Sequence, residues 1–238
     1  MSICYNTGMQ REKIVVAIYG LPGSGKGTQA NLVAAKFGLI NFDTGKLLEA
    51  IWHDPKRQKE AVVKRERALF DGGKLNDPAF VLGEVAKKTK ELAKSGVGIV
   101  YSGSPRTMFE AQGLVPEIER LYGKSKIFFF LLDVDPKDSI ARNSRRLLCN
   151  YCKTGLMALY YPSKKPKYCP VCAGSLYKRS VDDKKIIPKR LVEYKERTWP
   201  IIGYLKKSGH KVVKLNGRKA PYQIFQQIEK HITKSLGA

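Results

Sequence analysis

A β-branched run, Ile14 to Tyr19, passes directly into Gly20-Leu21-Pro22-Gly23-Ser24-Gly25-Lys26-Gly27-Thr28, and no other stretch constrains the fold as much. A buried strand that ends in closely spaced glycines lets the backbone curl so that successive N–H groups point at one centre. A helix opening just beyond adds its positive end to the same centre. The result is a phosphate cradle. In such a loop Gly23, Ser24, Gly25 and Gly27 supply backbone, Lys26 reaches the β- and γ-phosphates, and the Thr28 hydroxyl is placed for Mg²⁺. The usual pattern has Ser or Thr directly after the lysine; here Gly27 intervenes. A glycine-rich turn with an incidental lysine is the bland alternative. The strand before the loop and the helical pattern after it favour the cradle.

The rest of the chain continues the alternation. Leu39 to Phe42, Val97 to Tyr101, Ile127 to Val134 and Val212 to Leu215 look like buried strands. Ala30, Val33, Ala34 and Phe37 form one helical stripe, and Phe225, Ile228 and Ile232 form another. Strands alternating with helices predict an α/β chain with a doubly wound parallel sheet of about five strands, covered on both faces. There is no internal repeat. Roughly Thr44 to Asp71 and Arg146 to Asp183 break the alternation and read as insertions between strands.

The second insertion holds Cys149-x2-Cys152 and Cys169-x2-Cys172, while Cys4 stands apart. Two tight pairs on a hairpin match the spacing of a tetrahedral zinc ribbon, and so small a segment needs a metal in place of a core. Turn residues at Lys153-Thr154-Gly155 and Pro162-Ser163 suit that hairpin. No spare ligand position remains, so the expected zinc is structural. An odd cysteine total and no apolar N-terminal stretch argue against a disulfide framework and predict a cytoplasmic protein. Residues 1–12 read as a flexible lead-in.

Lys and Arg number 44 against 21 Asp and Glu, a net charge of +23 spread along the chain. Such a field favours anionic partners without choosing among nucleotides, nucleic acid and an acidic membrane. The longest uncharged apolar run, Ile127 to Leu132, is far too short to span a bilayer. Only three scattered histidines are present, which speaks against imidazole-based nucleophile chemistry. Arg142 and Arg146, spaced i, i+4, are expected on one helical face before the cysteines. Lys164, Lys165 and Lys167 read as a solvated face.

The loop order resembles the adenylate kinase family. The resemblance continues through Asp43-Thr44-Gly45, Gly73-Lys74-Leu75, Gly103-Ser104-Pro105-Arg106-Thr107, the cysteine segment, Arg190-Leu191-Val192-Glu193-Tyr194 and Asn216-Gly217, covering the chain from about Lys13 onward. It implies a core (1–43, 73–145, 184–238), a monophosphate-binding insertion (44–72) and a zinc lid over ATP (146–183). It further implies a monomer that transfers a phosphoryl group from Mg-ATP to AMP. On the ATP side it assigns Arg142 to the base, Arg146 to the phosphates, and Gly217 and Lys219 to the pocket. The monophosphate side takes Thr44, Lys74, Leu75, Asn76, Gly103 and Arg106. Arg179 and Arg190, flanking Asp182-Asp183, would bracket the transferred group.

Three residues depart from the family's pattern. Ser102 stands where the family has an Asp that helps hold Mg²⁺ through water. Glu49 replaces an Arg that grips the monophosphate, and Glu110 replaces a Gln that reads the AMP base. An acid repels phosphate, and a carboxylate lacks an amide's donor. Lys46, three residues before Glu49, either supplies the missing positive charge while pairing with Glu49 or makes an ordinary surface ion pair with it. Two alternatives to an AMP kinase follow: a kinase for another monophosphate, or a nucleotide- or RNA-binding module that has lost turnover.

Overall fold

The computed structural model describes residues 12–157, 165–179 and 182–237. Cys4, Pro162, Ser163, Lys164 and most of the expected lead-in lie outside them.

Five parallel strands make the main sheet in the order β2-β3-β1-β4-β8. They are β1 (Val15–Gly20), β2 (Ile40–Phe42), β3 (Ile99–Tyr101), β4 (Ile127–Asp133) and β8 (Val212–Asn216). Each lies where the apolar runs put it, within two residues at either end. Their side chains divide by alternation between two cores. Val15, Ala17 and Tyr19 of β1 face one cluster with Phe129 and Leu131. Val16 and Ile18 face the other with Phe128, Phe130 and Leu132. A strand buried on both faces has no polar side, which is why these segments read as continuous hydrophobic runs.

Helix α1 (Lys26–Phe37) turns Ala30, Val33 and Phe37 inward, as the stripe predicts. In α9 (Pro221–Leu236) the buried positions are Ile224, Ile228 and Ile232, with Phe225 only partly covered. The other helices around the sheet are α4 (Pro78–Lys94), α5 (Met108–Tyr122), α6 (Pro136–Ser144), α7 (Ile187–Glu193) and α8 (Pro200–Lys207). A π-helical turn, Tyr194–Thr198, joins α7 to α8. Carboxylates at N-caps fix several of these starts: Asp77 accepts from Ala79 and Phe80 N–H, and Asp135 from Lys137 N–H.

The stretches that interrupt the alternation add no strand to the main sheet. After β2 come α2 (Thr44–Trp52), capped by Asp43, and α3 (Ala61–Asp71). Trp52 holds them together by packing against Phe70 and, beyond them, Phe80. After α6 comes a small antiparallel sheet, β6-β5-β7, from β5 (Arg146–Cys149), β6 (Gly155–Met157) and β7 (Leu176–Tyr177). Among the described residues, no helix is long and apolar enough to cross a membrane.

Candidate active site

The β1–α1 loop lies at the C-terminal edge of the sheet, where β1 runs between β3 and β4, the place at which open α/β sheets present ligand sites. Gly25 takes φ +100° to cap α1, a left-handed conformation that side chains resist. Gly23 approaches Asn143 so closely that an added Cβ would sit 2.6 Å from its Nδ2. Lys26 folds back over the loop and donates to the carbonyls of Gly20 (2.7 Å) and Leu21 (2.8 Å). Thr28 is exposed in the first helical turn, while Ser24 is buried with an unpartnered hydroxyl.

Cations converge on this loop. Burial, followed by the fields of Arg106, Arg190 and Arg146, pushes the Lys26 ammonium well below its ordinary pKa. Burial, then Arg146, brings Arg190 down to about 10. Burial also lowers Arg106, with Asp43 and Glu110 pulling the other way. An arriving anion would relieve this mutual repulsion, which makes the cluster a candidate phosphate site. Part of the charge is held by Asp182, which is fully buried. It accepts from Arg146 at 2.9 and 2.6 Å and from Arg190 at 3.1 Å.

Arg142 donates to the Gly217 carbonyl at 2.9 Å, joining α6 to the turn after β8, where Lys219 also lies. The expectation that Arg142 and Arg146 share a helical face does not hold. Helix α6 ends at Ser144, and Arg146 is the first residue of β5. From β5 its guanidinium pairs with Asp182, distant in sequence.

Across the loop after β3, buried Thr44 hydrogen-bonds with Ser104 at 2.8 Å. Gly103 leaves room for Arg106, whose Nη2 would lie 2.8 Å from an added Cβ. Thr198, from the π-helical turn, donates to the Arg106 carbonyl at 2.8 Å. Lys74, Leu75 and Asn76 edge a cleft of about 320 Å³ shared with Glu193 and Arg197. Asn76 is itself engaged: its Nδ2 donates to the carbonyl and carboxylate of the fully buried Glu66. The sequence reading missed Glu66, because a glutamate in a helix of mixed charge looks like a solvated residue.

Two of the three departures acquire local partners. Glu110 folds back on the start of α5: it accepts from Arg106 N–H (2.9 Å) and the Thr107 hydroxyl (3.0 Å), while the Thr107 hydroxyl accepts from its N–H. The signature Thr107-x-x-Glu110 was present in the sequence. Glu49 pairs with Arg179 at 3.2 Å. The expected Lys46–Glu49 pair is not the one formed; Lys46 is exposed on α2. Arg179 also lies over the Phe70 ring, 6.0 Å from its centre.

The four cysteine sulfurs lie within 4.8 Å of one another. Cys149–Cys172 and Cys152–Cys169 are 3.4 and 3.6 Å apart. A tetrahedron with Zn–S bonds of about 2.3 Å has edges only slightly longer. Backbone N–H groups of Tyr151 and Val171 point at the sulfurs of Cys149 and Cys169. Hydrogen bonding to Thr154 holds the Cys152 thiol below its ordinary range, while the bond shared with Cys152 pushes Cys172 above it. Thiolates so placed fit a zinc ion.

The adenylate kinase family model matches residues 18–210. The chain belongs to the adenylate kinase family. An adenylate kinase of Methanothrix thermoacetophila is 32% identical over 220 residues, covering 92% of this chain and 98% of the relative. One of Methanosarcina barkeri is 29% identical over 214 residues, covering 90% and 96%. Another, from Chlamydia trachomatis, is 28% identical over 241 residues, covering 96% and 94%. As an adenylate kinase homologue the chain is a phosphotransferase that binds nucleotide, a nucleoside monophosphate kinase.

Proposed function

We propose that this chain catalyses the reversible transfer ATP + AMP = 2 ADP. What supports it best is the convergence of Lys26, Arg106, Arg146 and Arg190 at the phosphate loop. Phosphoryl transfer asks little covalent work of a protein; it needs two nucleotides in line and cations around the charge that develops. The loop N–H groups from Gly23 to Thr28 hold the donor's phosphates. Lys26 releases the loop carbonyls and follows the β- and γ-phosphates. Arg142, Gly217 and Lys219 take the adenine end, and Arg146 the phosphates. Arg106, with Thr44 and Gly103, takes the acceptor's phosphate, beside Lys74, Leu75 and Asn76. Arg179 and Arg190 close on the group in flight.

Mg²⁺ enters with ATP, and this chain offers it the neutral hydroxyls of Thr28 and Ser102 in place of a carboxylate. Cys149, Cys152, Cys169 and Cys172 hold zinc, which stiffens the lid and takes no part in the reaction. Residues 44–72 and 146–183 act as the two closing arms on the 1–43, 73–145 and 184–238 core. On the same reading the enzyme works as a monomer in the cytoplasm.

Acceptor choice is the open half of this reading. Each Glu110 carboxylate oxygen already accepts one hydrogen bond within the protein, from Arg106 N–H and from the Thr107 hydroxyl. A steady-state assay of zinc-loaded protein with Mg-ATP, offering AMP, GMP, CMP and UMP in turn, decides. Turnover with AMP foremost supports an adenylate kinase, and preference for another base reassigns the acceptor. ATP binding without any turnover would leave a nucleotide- or RNA-binding module, recognisable by salt-sensitive RNA affinity.

A further inference from the structure

A cavity of about 40 Å³ lies under the phosphate loop, at the C-terminal ends of β1 and β3, lined in part by Lys26, Ser102, Arg106, Tyr194 and Thr198. It has room for about one water or a single ligand oxygen. Tyr19 also lines it. That residue is only 4% exposed, and its hydroxyl is buried without a hydrogen-bond partner. Its ring is held in place by a stack on Phe129, with centroids 6.4 Å apart and planes at 29°.

An unmade hydrogen bond on a sealed hydroxyl is costly, and native interiors rarely keep one. Burial, then the nearby Glu110 and Tyr194, push the phenol's pKa up, so the group remains a donor. Lys26 and Arg106 make the cavity attractive to an anionic oxygen. Thr198, bonded to the Arg106 carbonyl at 2.8 Å, fixes the far wall through an irregular π turn of a kind often found at functional sites. A donor without an acceptor, in a cationic cavity beside the acceptor's arginine, is a ligand group awaiting its ligand.

We infer that Tyr19 is an acceptor-binding residue whose O–H donates to a phosphoryl oxygen of the monophosphate, directly or across one ordered water. This rests on the kinase reading above. The test is Tyr19→Phe, which keeps the ring and its stack on Phe129, studied by kinetics, calorimetry and thermal unfolding. Expected are a roughly tenfold loss in kcat/KM for the monophosphate, an unchanged KM for ATP, and a correspondingly weaker calorimetric affinity for AMP. The ligand-free variant should melt at the same temperature as the parent or higher, since an orphaned hydroxyl has been removed. Unchanged monophosphate binding and kcat/KM would overturn the inference, as would a loss matched by a lowered melting temperature. Failure of the kinase reading looks different: the parent then binds AMP without turning it over. The calorimetric comparison still decides on Tyr19 in that case. A parent that binds no monophosphate at all would end both readings.

Discussion

The donor and acceptor halves of this site are built from different materials. On the proposed reading the cradle for the donor's phosphates is mostly backbone: a strand end, a left-handed Gly25 and the first turn of α1, with one lysine laid across. The acceptor half is mostly side chains, and several of those have found partners within the protein. Glu110 folds back on the start of α5, Glu49 holds Arg179, and Asn76 is tied to Glu66. A backbone cradle needs only glycine, a strand before and a helix after, so its identity survives in the sequence. A side-chain cradle depends on which rotamer and partner each residue takes, and one replacement can redirect it. The difference predicts robustness on the donor side and adjustability on the acceptor side.

The sharpest way to break that comparison is Lys26→Ala, which removes the one side chain laid across the carbonyls of the phosphate loop. We expect turnover to fall about 10³-fold, about 4 kcal/mol of transition-state stabilisation, with the melting temperature little changed. A fall under about tenfold would mean the backbone suffices alone. Next in size is removal of zinc. A chelator should abolish most turnover and raise amide exchange across residues 146–157 and 165–179, while β1 and β4 stay protected. Equal loosening of the main sheet would contradict separate stabilisation of the lid.

A smaller effect is expected from Ser102→Asp, which gives the metal the charge this chain lacks. The Mg²⁺ concentration for half-maximal rate should drop several-fold, read from a titration at fixed ATP. No change would mean that residue 102 does not face the metal. Glu110→Gln should cost about 1 kcal/mol of stability, because an amide oxygen replaces a carboxylate that accepts at both oxygens. If the acceptor half is adjustable, the same change should alter preference among monophosphates; a stability loss with unaltered preference makes Glu110 structural only. Smallest is a proton-linkage effect. Because Lys26 is pushed below its usual range in the empty site and polyphosphate favours its charged form, ATP binding should take up a fraction of a proton. Uptake should grow as pH rises, and calorimetry in buffers of different ionisation heats measures it. Release in place of uptake would contradict the charged cluster.

The five strands, the stripes on α1 and α9, the phosphate loop and the four-cysteine knuckle were legible in the residues alone. These follow from local rules: burial on both sheet faces makes apolar runs, glycine licenses positive φ, and thiolate pairs at fixed spacing want a metal. Tertiary structure alone decided where the charges went. Arg146, in β5, pairs with Asp182, 36 residues away, and Glu49 reaches Arg179 across 130 residues in preference to Lys46 close by. Glu66 and the Tyr19 hydroxyl were also hidden, since burial of a polar group depends on what the rest of the chain lays over it. Backbone geometry is set by neighbours in sequence; the partner of a long charged side chain is set by neighbours in space.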